Sequence, residues 1–572
     1  MLRVYLQEAC LRHQFIRSKE TSNVVERPQR LRAVNVGLAA VMARTSQGRR
    51  KVEPVSQDAK DEPEDELVSA IGRLNIAQVN DRTLAAGPIE VVKSSAKVDL
   101  LNNAAVKFIH GDIEGDVYLE KLIKLSKESR DKIAAGESEI PGGLSQGDLY
   151  LCPESVDSIQ GALGTMCEVV DRVMDPWSST SRAFVAVRPP GHHCGEDTPS
   201  GFCFVNNVAI AAAHGKVSAT HLEYNITRVA IFDIDLHHGN GTQSIIWQIN
   251  EEAYRAQLEE PDGKSPDKTR LQVFYGSLHD ILSYPCEDGK LDLVQAASVS
   301  LHGPHGQFVE NIHLEPYTTE KHFFESLYEK KYLRLLQKAR SFIDDTGGVR
   351  DDTLVFISCG FDACEHEYES MSRHGRKVPT SFYHRFARDA RLFADSVAKG
   401  KLISVLEGGY SDRALTSGTI AHLSGLAETD DVKADPEWWT LDNLVALEKA
   451  TAKRRGGQQA VTEMEPWLER TLEYFIQINS DPLLAAPPMI MSLRDRSNKK
   501  TTTAPVPAAP KVAKNKPKEK ALVKQAAAET SRSDTERSAD EANADTLPKK
   551  PRRVVLKLGP NPVAGNSSAR ES

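Results

Sequence analysis

Short apolar runs, each closed by a cluster of polar residues, recur through the middle of this chain and limit the folds open to it. The runs are residues 183–187, 229–232, 273–275, 354–357 and 402–406, and amphipathic stretches such as 205–214, 323–343 and 384–398 lie between and around them. Strand-like runs that alternate with helix-like stretches predict parallel strands joined by helical crossovers. The simplest outcome is one α/β domain, a parallel sheet flanked by helices, with residues 438–478 as a helical extension packed on it.

The residues just past each run carry the chemistry. After Val187 comes Arg188-Pro189-Pro190-Gly191-His192-His193, after Phe232 comes Asp233-Ile234-Asp235-Leu236-His237-His238, after Ile357 the chain reaches Gly360-Phe361-Asp362, and after Leu406 comes Glu407-Gly408-Gly409-Tyr410. Ligands of open α/β sheets bind outside the carboxyl ends of the strands, so these four loops are expected to converge on one crevice. Asp233, Asp235 and His237 are spaced by two, which in an extended backbone sends all three side chains to one face. Two ligands from this strand end and Asp362 from another make three protein ligands, leaving a fourth position for water, as a catalytic zinc requires. The competing reading is a salt-bridged cluster at the sheet edge, but ionisable groups packed beside apolar strands are costly to bury without a metal or a partner. Water bound to such a metal has a pKa of roughly 7. A base must handle its protons, and the tandem His192-His193 on a Pro-Gly turn offers one. Tyr410, after two glycines, is placed to donate to an oxyanion; taken alone it reads equally as a core tyrosine.

Other motifs are weaker. Gly143-Leu144-Ser145-Gln146-Gly147 matches the nucleophile-elbow pattern but lacks the strand-turn-helix context. Cys359 and Cys364 flank Asp362 without the histidine partner of a cysteine nucleophile. The eight cysteines include no CxxC pair and read as reduced, buried thiols. No run approaches the ~18 apolar residues of a membrane span, and the first 20 residues lack a secretory signal core, so an intracellular protein without a membrane partner is expected. From Arg494 to the end there are 18 Lys and Arg against 9 Asp and Glu, so with a whole-chain charge of −8 the remainder carries −17. So acidic a body is repelled by nucleic acid, and no direct sequence-specific nucleic-acid binding is expected. The tail itself is rich in Ala, Pro, Lys, Ser and Thr, lacks aromatics, and reads as disordered. Its cluster Pro548-Lys549-Lys550-Pro551-Arg552-Arg553 reads either as a nuclear import signal or as a solvated charge run. Residues 48–66 and 259–270 read as loop insertions.

Together the stretches 188–207, 233–242, 360–363 and 406–410 resemble the zinc-dependent histone deacetylases, and Glu26-Arg27-Pro28-Gln29-Arg30-Leu31 resembles that family's amino-terminal signature. The resemblance covers roughly residues 20 to 430. It implies an arginase/deacetylase-like α/β fold with a narrow acetyl-lysine tunnel and zinc at its base. Carried onto this sequence, it makes Asp235, His237 and Asp362 the zinc ligands, His193 the general base and acid, His192 its electrostatic partner, and Asp233 the hydrogen-bond partner of His192. Asp233 and the backbone around Ser277 and Leu278 are implied to hold potassium, and Gly201, Phe202 and Tyr284 to line the tunnel. Asn240 stands where class I members have aspartate and resembles class II; Tyr410, which some class II members replace, is kept, so an active enzyme is expected. Ser277-Leu278-His279-Asp280 and Arg373-His374-Gly375 resemble a fungal branch of class II.

The implied organisation is an N-terminal segment (1–20), a catalytic domain (21–430), a helical extension (431–490) and a disordered basic tail (491–572). The implied activity is hydrolysis of Nε-acetyl-lysine in proteins, above all histone tails, in a nuclear chromatin regulator also found in the cytoplasm, acting as a homo-oligomer or in a corepressor complex. Acetylated polyamines as substrates, a non-catalytic scaffold, and iron(II) or cobalt in place of zinc remain open alternatives.

Overall fold

In the computed structural model the chain divides into two units, Met1–Leu493 and Arg494–Ser572, and the described residues are 1–47, 83–111, 117–217, 226–259, 270–372, 374–452 and 464–479. The predicted loop at 48–66, residues 260–269 of the second loop, Arg373, and the tail 491–572 with its basic cluster lie outside the described residues.

The first unit is built on a ten-stranded sheet. In chain order the strands are β1 (Leu2–Gln7), β2 (Thr83–Ala86), β3 (Ile89–Ser94), β4 (Arg182–Ala186), β5 (Arg228–Asp233), β6 (Gln272–His279), β7 (Ser300–His302), β8 (Phe308–His313), β9 (Thr353–Cys359) and β10 (Leu402–Leu406). Their spatial order is β2-β3-β1-β4-β10-β9-β5-β6-β8-β7. From β3 to β8 every pairing is parallel, and β2 and β7 close the two edges as antiparallel strands. β5, β9 and β10 are buried at every position, as a parallel sheet covered on both faces requires. The predicted parallel α/β sheet is thus present, and all five predicted runs are strands in it.

Aromatic side chains fill one side of the sheet centre. The Phe232 ring meets Phe393 and Phe386 of the helix Ser381–Val397 nearly edge-on, at 5.5 and 6.1 Å. Such contacts add to the area these rings bury. The helix Gln29–Gln47 packs on the helices Asp412–Ala427 and Pro466–Ile478. Gly37 allows that approach, because a side chain there would run into Thr416 and Thr419, and the Arg44 guanidinium lies 3.8 Å from the Trp467 ring centre. No helix among the described residues is long and apolar enough to cross a membrane.

Some predicted boundaries move for local reasons. The helix read from 205 begins at Asn207, because Asn206 caps it by accepting the Ala209 amide at 3.0 Å. The stretch read as one helix at 323–343 is a widened helix, Phe323–Tyr332, followed by a regular one, Arg334–Asp345. Within 438–478 the structure places two helices, Leu441–Thr451 and Pro466–Ile478.

All parallel strands present their carboxyl ends at the same edge of the sheet. The four loops marked by their polar residues come after β4, β10, β9 and β5, which are immediate neighbours. Residues 192, 410, 362 and 235, far apart along the chain, are thereby brought to one crevice.

Candidate active site

The loop after β4 turns through a cis Arg188–Pro189 bond and is fixed from both ends. Arg188 is fully buried and donates to Glu26 Oε1 and Oε2 at 2.8 and 2.6 Å and to the carbonyls of Cys10 and His13. Further on, the amides of Gly191 and His192 both donate to Glu407 Oε2, at 2.7 and 3.2 Å. This delivers two adjacent imidazoles, tilted by 43° with centroids 4.0 Å apart. His192 Nδ1 donates to Asp233 Oδ2 at 3.2 Å, an oxygen that also accepts from the Tyr275 hydroxyl at 3.0 Å. His193 Nδ1 donates to Asn240 Oδ1 at 2.9 Å, which leaves its Nε2 as the basic nitrogen.

The two histidines differ in charge. Burial works against protonation of His192, but Asp235 and Asp233 outweigh it and hold the pKa at about 10. Burial, then the positive charges of His192 and His237, hold His193 well below the ordinary imidazole range. The surroundings thus favour the proton on His192 and disfavour it on His193, whose hydrogen-bond partner is an amide that adds no charge.

Asp235, His237 and Asp362 converge beside them. Their donor atoms lie within 4.8 Å of one another; His237 Nδ1 is 3.1 Å from Asp235 Oδ1 and 3.0 Å from Asp362 Oδ2. Tetrahedral zinc with bonds near 2.0 Å separates its ligand atoms by roughly 3.3 Å, so the spacing fits a metal ion. Both aspartates are fully buried. Against burial, they raise His237 to about 10, so in the metal-free protein a proton offsets carboxylates that a cation would otherwise balance. Backbone amides aim the remaining oxygens: Gly408 donates to Asp235 Oδ2 at 2.8 Å and Leu236 to Asp362 Oδ1 at 2.9 Å. A side chain at Gly360 or Gly408 would strike these carboxylates, and the two glycines form the cradle of the cluster. The donor set therefore suits a divalent metal.

Aromatic rings surround the imidazoles. Gly201, at φ +49°, passes so close to the His193 ring that a Cβ would collide with it, and Tyr284 lies on the same side. Phe202 comes next at φ +68°, a region a non-glycine residue rarely adopts and one that clusters at functional sites. Its ring is 5.7 Å from that of Tyr410. Tyr284 stands edge-on to His193 at 4.9 Å and is hydrogen-bonded to the Ser200 hydroxyl. Burial pushes the Tyr410 phenol well above its usual range, so it stays a proton donor. Asp233 and Ser277 face each other across β5 and β6, with the Ser277 hydroxyl bonded to His279 Nδ1 at 2.8 Å.

The competing nucleophiles fall away on geometry. Ser145 sits on an exposed loop and donates to Asp148 Oδ2 at 2.7 Å. All eight cysteines are buried; burial raises the Cys364 thiol to about 11 and Cys359 well above its usual range.

Several supporting residues carried no readable role in the sequence. Glu407 was one polar residue of a loop, yet it holds the histidine turn, and burial raises its carboxyl to about 7. Glu26 pairs with Arg30 at 3.0 Å as well as with Arg188 and accepts from Tyr150 at 2.7 Å. Arg30 in turn donates to the carbonyls of Gly409 and Glu407. Most of these partners lie more than a hundred residues apart, and only the spacing of the Glu26–Leu31 motif hinted at them.

Residues 81–426 match the family model described as the histone deacetylase domain. Histone deacetylase HOS3 of Saccharomyces cerevisiae is 40% identical over 343 residues, covering 57% of this chain and 48% of the yeast protein. Type-2 histone deacetylase 1 of Dictyostelium discoideum is 29% identical over 329 residues, covering 50% of this chain and 20% of that protein. A crystal structure of an HDA15 HD domain aligns with a TM-score of 0.46 and 19% identity, over 83% of this chain and 99% of that one. The chain thus spans about half the length of its yeast relative and less of the other. The family match covers four strand-end motifs that meet in one crevice, and the yeast relative agrees with the fungal resemblance of the loops: the chain belongs to the histone deacetylase family.

Proposed function

We propose that this chain hydrolyses the side-chain amide of Nε-acetyl-lysine in proteins and releases acetate, with Asp235, His237 and Asp362 as zinc ligands. The observation that carries this reading is the convergence at one crevice of a buried Asp-His-Asp cluster with His193, whose Nδ1 is held by Asn240 and whose ring lies 6.1 Å from that of His237. Held by these three residues, the ion would supply Lewis acidity toward the acetyl carbonyl and toward a bound water at neutral pH.

The remaining work belongs to the chain's own residues. His193 Nε2 takes a proton from the attacking water and returns it to the lysine nitrogen as the C–N bond breaks, a role typically worth ~10²–10⁴ in rate. The His192 cation, held by Asp233, stabilises negative charge building beside it. Tyr410 donates to the carbonyl oxygen as it gains charge. Gly201, Phe202 and Tyr284 grip the lysine stem and exclude water, and Asn240 fixes the tautomer of His193. Asp233 and the Ser277 backbone, paired across β5 and β6, would hold a potassium ion at the strand end.

The substrate class proposed, acetylated histone tails, rests on the family, and the nuclear location on the family and the basic cluster Lys549-Lys550-Pro551-Arg552-Arg553; the protein would work in a chromatin complex or as a homo-oligomer. The test is acetate release from an acetyl-lysine histone peptide by full-length protein, metal-stripped and then reloaded with zinc. Turnover that needs zinc and disappears in His193→Ala supports the reading. A metal-loaded wild type with no turnover refutes it.

A further inference from the structure

A tyrosine that donates to a reacting oxygen must be held, and the residues beside Tyr410 do not hold it. Gly408 and Gly409 precede it, and Gly409 has φ +105°. Two glycines permit this backbone path but do not select it, since glycine populates both signs of φ freely. The selection must come from outside the loop.

Two groups supply most of it, with Arg27 adding a longer bond to the Tyr410 carbonyl at 3.5 Å. Arg30 takes the Gly409 carbonyl at 2.6 Å, and its guanidinium lies 5.1 Å from the Tyr410 ring centre. From the other side comes Glu367, five residues beyond Asp362 in the loop after β9. Its Oε2 accepts the Tyr410 amide at 2.7 Å and its Oε1 accepts the Ser411 amide at 2.8 Å. The Tyr368 amide donates to Oε1 as well, also at 2.7 Å. Ser411 then caps the helix Asp412–Ala427, its hydroxyl accepting from Ala414 at 3.0 Å and donating to the His366 carbonyl at 2.8 Å. One carboxyl therefore ties the peptide of the tyrosine, the cap of the following helix and the loop that also bears a metal-cluster aspartate.

Glu367 is only 4% exposed. Burial raises its carboxyl to about 7, so keeping a carboxylate here is costly. Three backbone amides donate to this carboxyl, and among the described residues no side-chain cation pairs with it. A glutamate needed only to fill space would be replaced without loss by a methionine or leucine. Three converging N–H groups explain why an acceptor with two oxygens stands there.

We infer that Glu367 is a positioning residue for Tyr410: it fixes the Tyr410 and Ser411 amides so that the phenol points into the crevice. The inference rests on the reading of Tyr410 as the hydrogen-bond donor to the substrate carbonyl. Glu367 itself touches no substrate. Its effect on turnover passes through the tyrosine.

The test is a double-mutant cycle in the full-length, zinc-loaded protein, on an acetyl-lysine histone peptide, using Glu367→Gln, Tyr410→Phe and both together. Hydrogen exchange over residues 408–412 is followed in parallel. Glu367→Gln keeps the packing volume but replaces one acceptor oxygen by an amide nitrogen. The expected result is a fall in kcat of roughly 10–100-fold for Glu367→Gln with little change in KM, faster exchange at Tyr410 and Ser411, and a double mutant no slower than Tyr410→Phe alone. A loss that multiplies onto that of Tyr410→Phe assigns Glu367 a merely structural role and overturns the inference, as does unchanged exchange at the two amides. If Glu367→Gln misfolds by circular dichroism, Glu367→Asp repeats the cycle. A wild type without acetyl-lysine turnover removes the functional reading, and the exchange measurement then decides the positioning on its own.

Discussion

Glu407 and His192 sit at the ends of two neighbouring strands, and the carboxyl of the first accepts the backbone amide of the second at 3.2 Å while taking the Gly191 amide at 2.7 Å. The strand that presents Tyr410 thus also sets the height of the histidine pair. Its other oxygen, Oε1, is buried without a hydrogen-bond partner among the described residues. Glu407→Ala is expected to leave two buried amides unpaired and to lower kcat by about 10²-fold while metal content per chain stays that of the wild type. Steady-state kinetics with metal analysis checks this; normal turnover in the variant would remove Glu407 from the positioning of His193.

Metal removal has a predicted stability signature independent of turnover. Ions that bind only the folded state raise the unfolding temperature with concentration, and a bound cation offsets Asp235 and Asp362 better than the proton on His237 does. Zinc is expected to raise Tm of the stripped wild type, and the same titration of Asp235→Asn should show little or no rise. Calorimetry distinguishes the two. An equal rise in both proteins would place the ion elsewhere.

Arg188 and Glu26 form a fully buried pair at 2.6 Å that joins the amino-terminal motif to the histidine loop. Removing one partner of such a pair typically costs about 3–5 kcal/mol because the other charge is stranded. Arg188→Ala should lose stability of that order in urea denaturation, and the Glu26→Ala, Arg188→Ala double variant should lose less than the two single losses combined. Simple additivity would show that the pair does not act as a unit.

Acid should weaken the fold in a defined window. Burial lowers His13 to about 3, His110 to about 4 and His422 to about 3, each from an unfolded value near 6.5. The unfolded chain therefore binds more protons than the folded one below about pH 6.5, and stability falls as pH falls until the folded values are reached. Each histidine contributes a loss on the order of 1 kcal/mol per pH unit across that window. Urea midpoints measured from pH 7.5 to 5 should drop steadily, and His110→Gln should flatten the slope. Glu367 and Glu407, whose carboxyls burial raises to about 7, offset part of this loss between about pH 7 and 4.5, so the comparison with His110→Gln decides: an unchanged slope would contradict the buried neutral state of that ring.

The chemistry was legible in the sequence where it was local. Asp235 and His237 follow directly on the end of β5 and meet Asp362, but they do so in a bend after Asp233 rather than in the extended backbone that the spacing of two suggests, and the parallel topology brings the other loops to the same edge. Long-range partners were not legible, because nothing in the run Glu365-His366-Glu367 tells that its last residue accepts the amides of Tyr410 and Ser411. β1 was equally silent. Leu2–Gln7 pairs with both β3 and β4, but the residues after it, Glu8-Ala9-Cys10-Leu11-Arg12-His13, lack the run of three ligand-type residues spaced by two seen at Asp233, Asp235 and His237. The widened helix at Phe323–Tyr332 is hidden for a different reason: a change from i−4 to i−5 bonding leaves the apolar pattern almost unaltered over so short a stretch.

The placement of β10 bears on how the protein is made. This strand, Leu402–Leu406, is synthesised after every other strand of the sheet and yet lies between β4 and β9. A chain still emerging from the ribosome has two part-sheets whose apolar inner strands end in open edges, and such edges invite pairing with other chains. Among the described residues only β10 joins the two part-sheets, so the loops after β4 and β9, which carry His192 and Asp362, reach their final spacing once that strand is in place. The strand that completes the candidate site is therefore also the one that covers the two inner edges open to pairing with other chains.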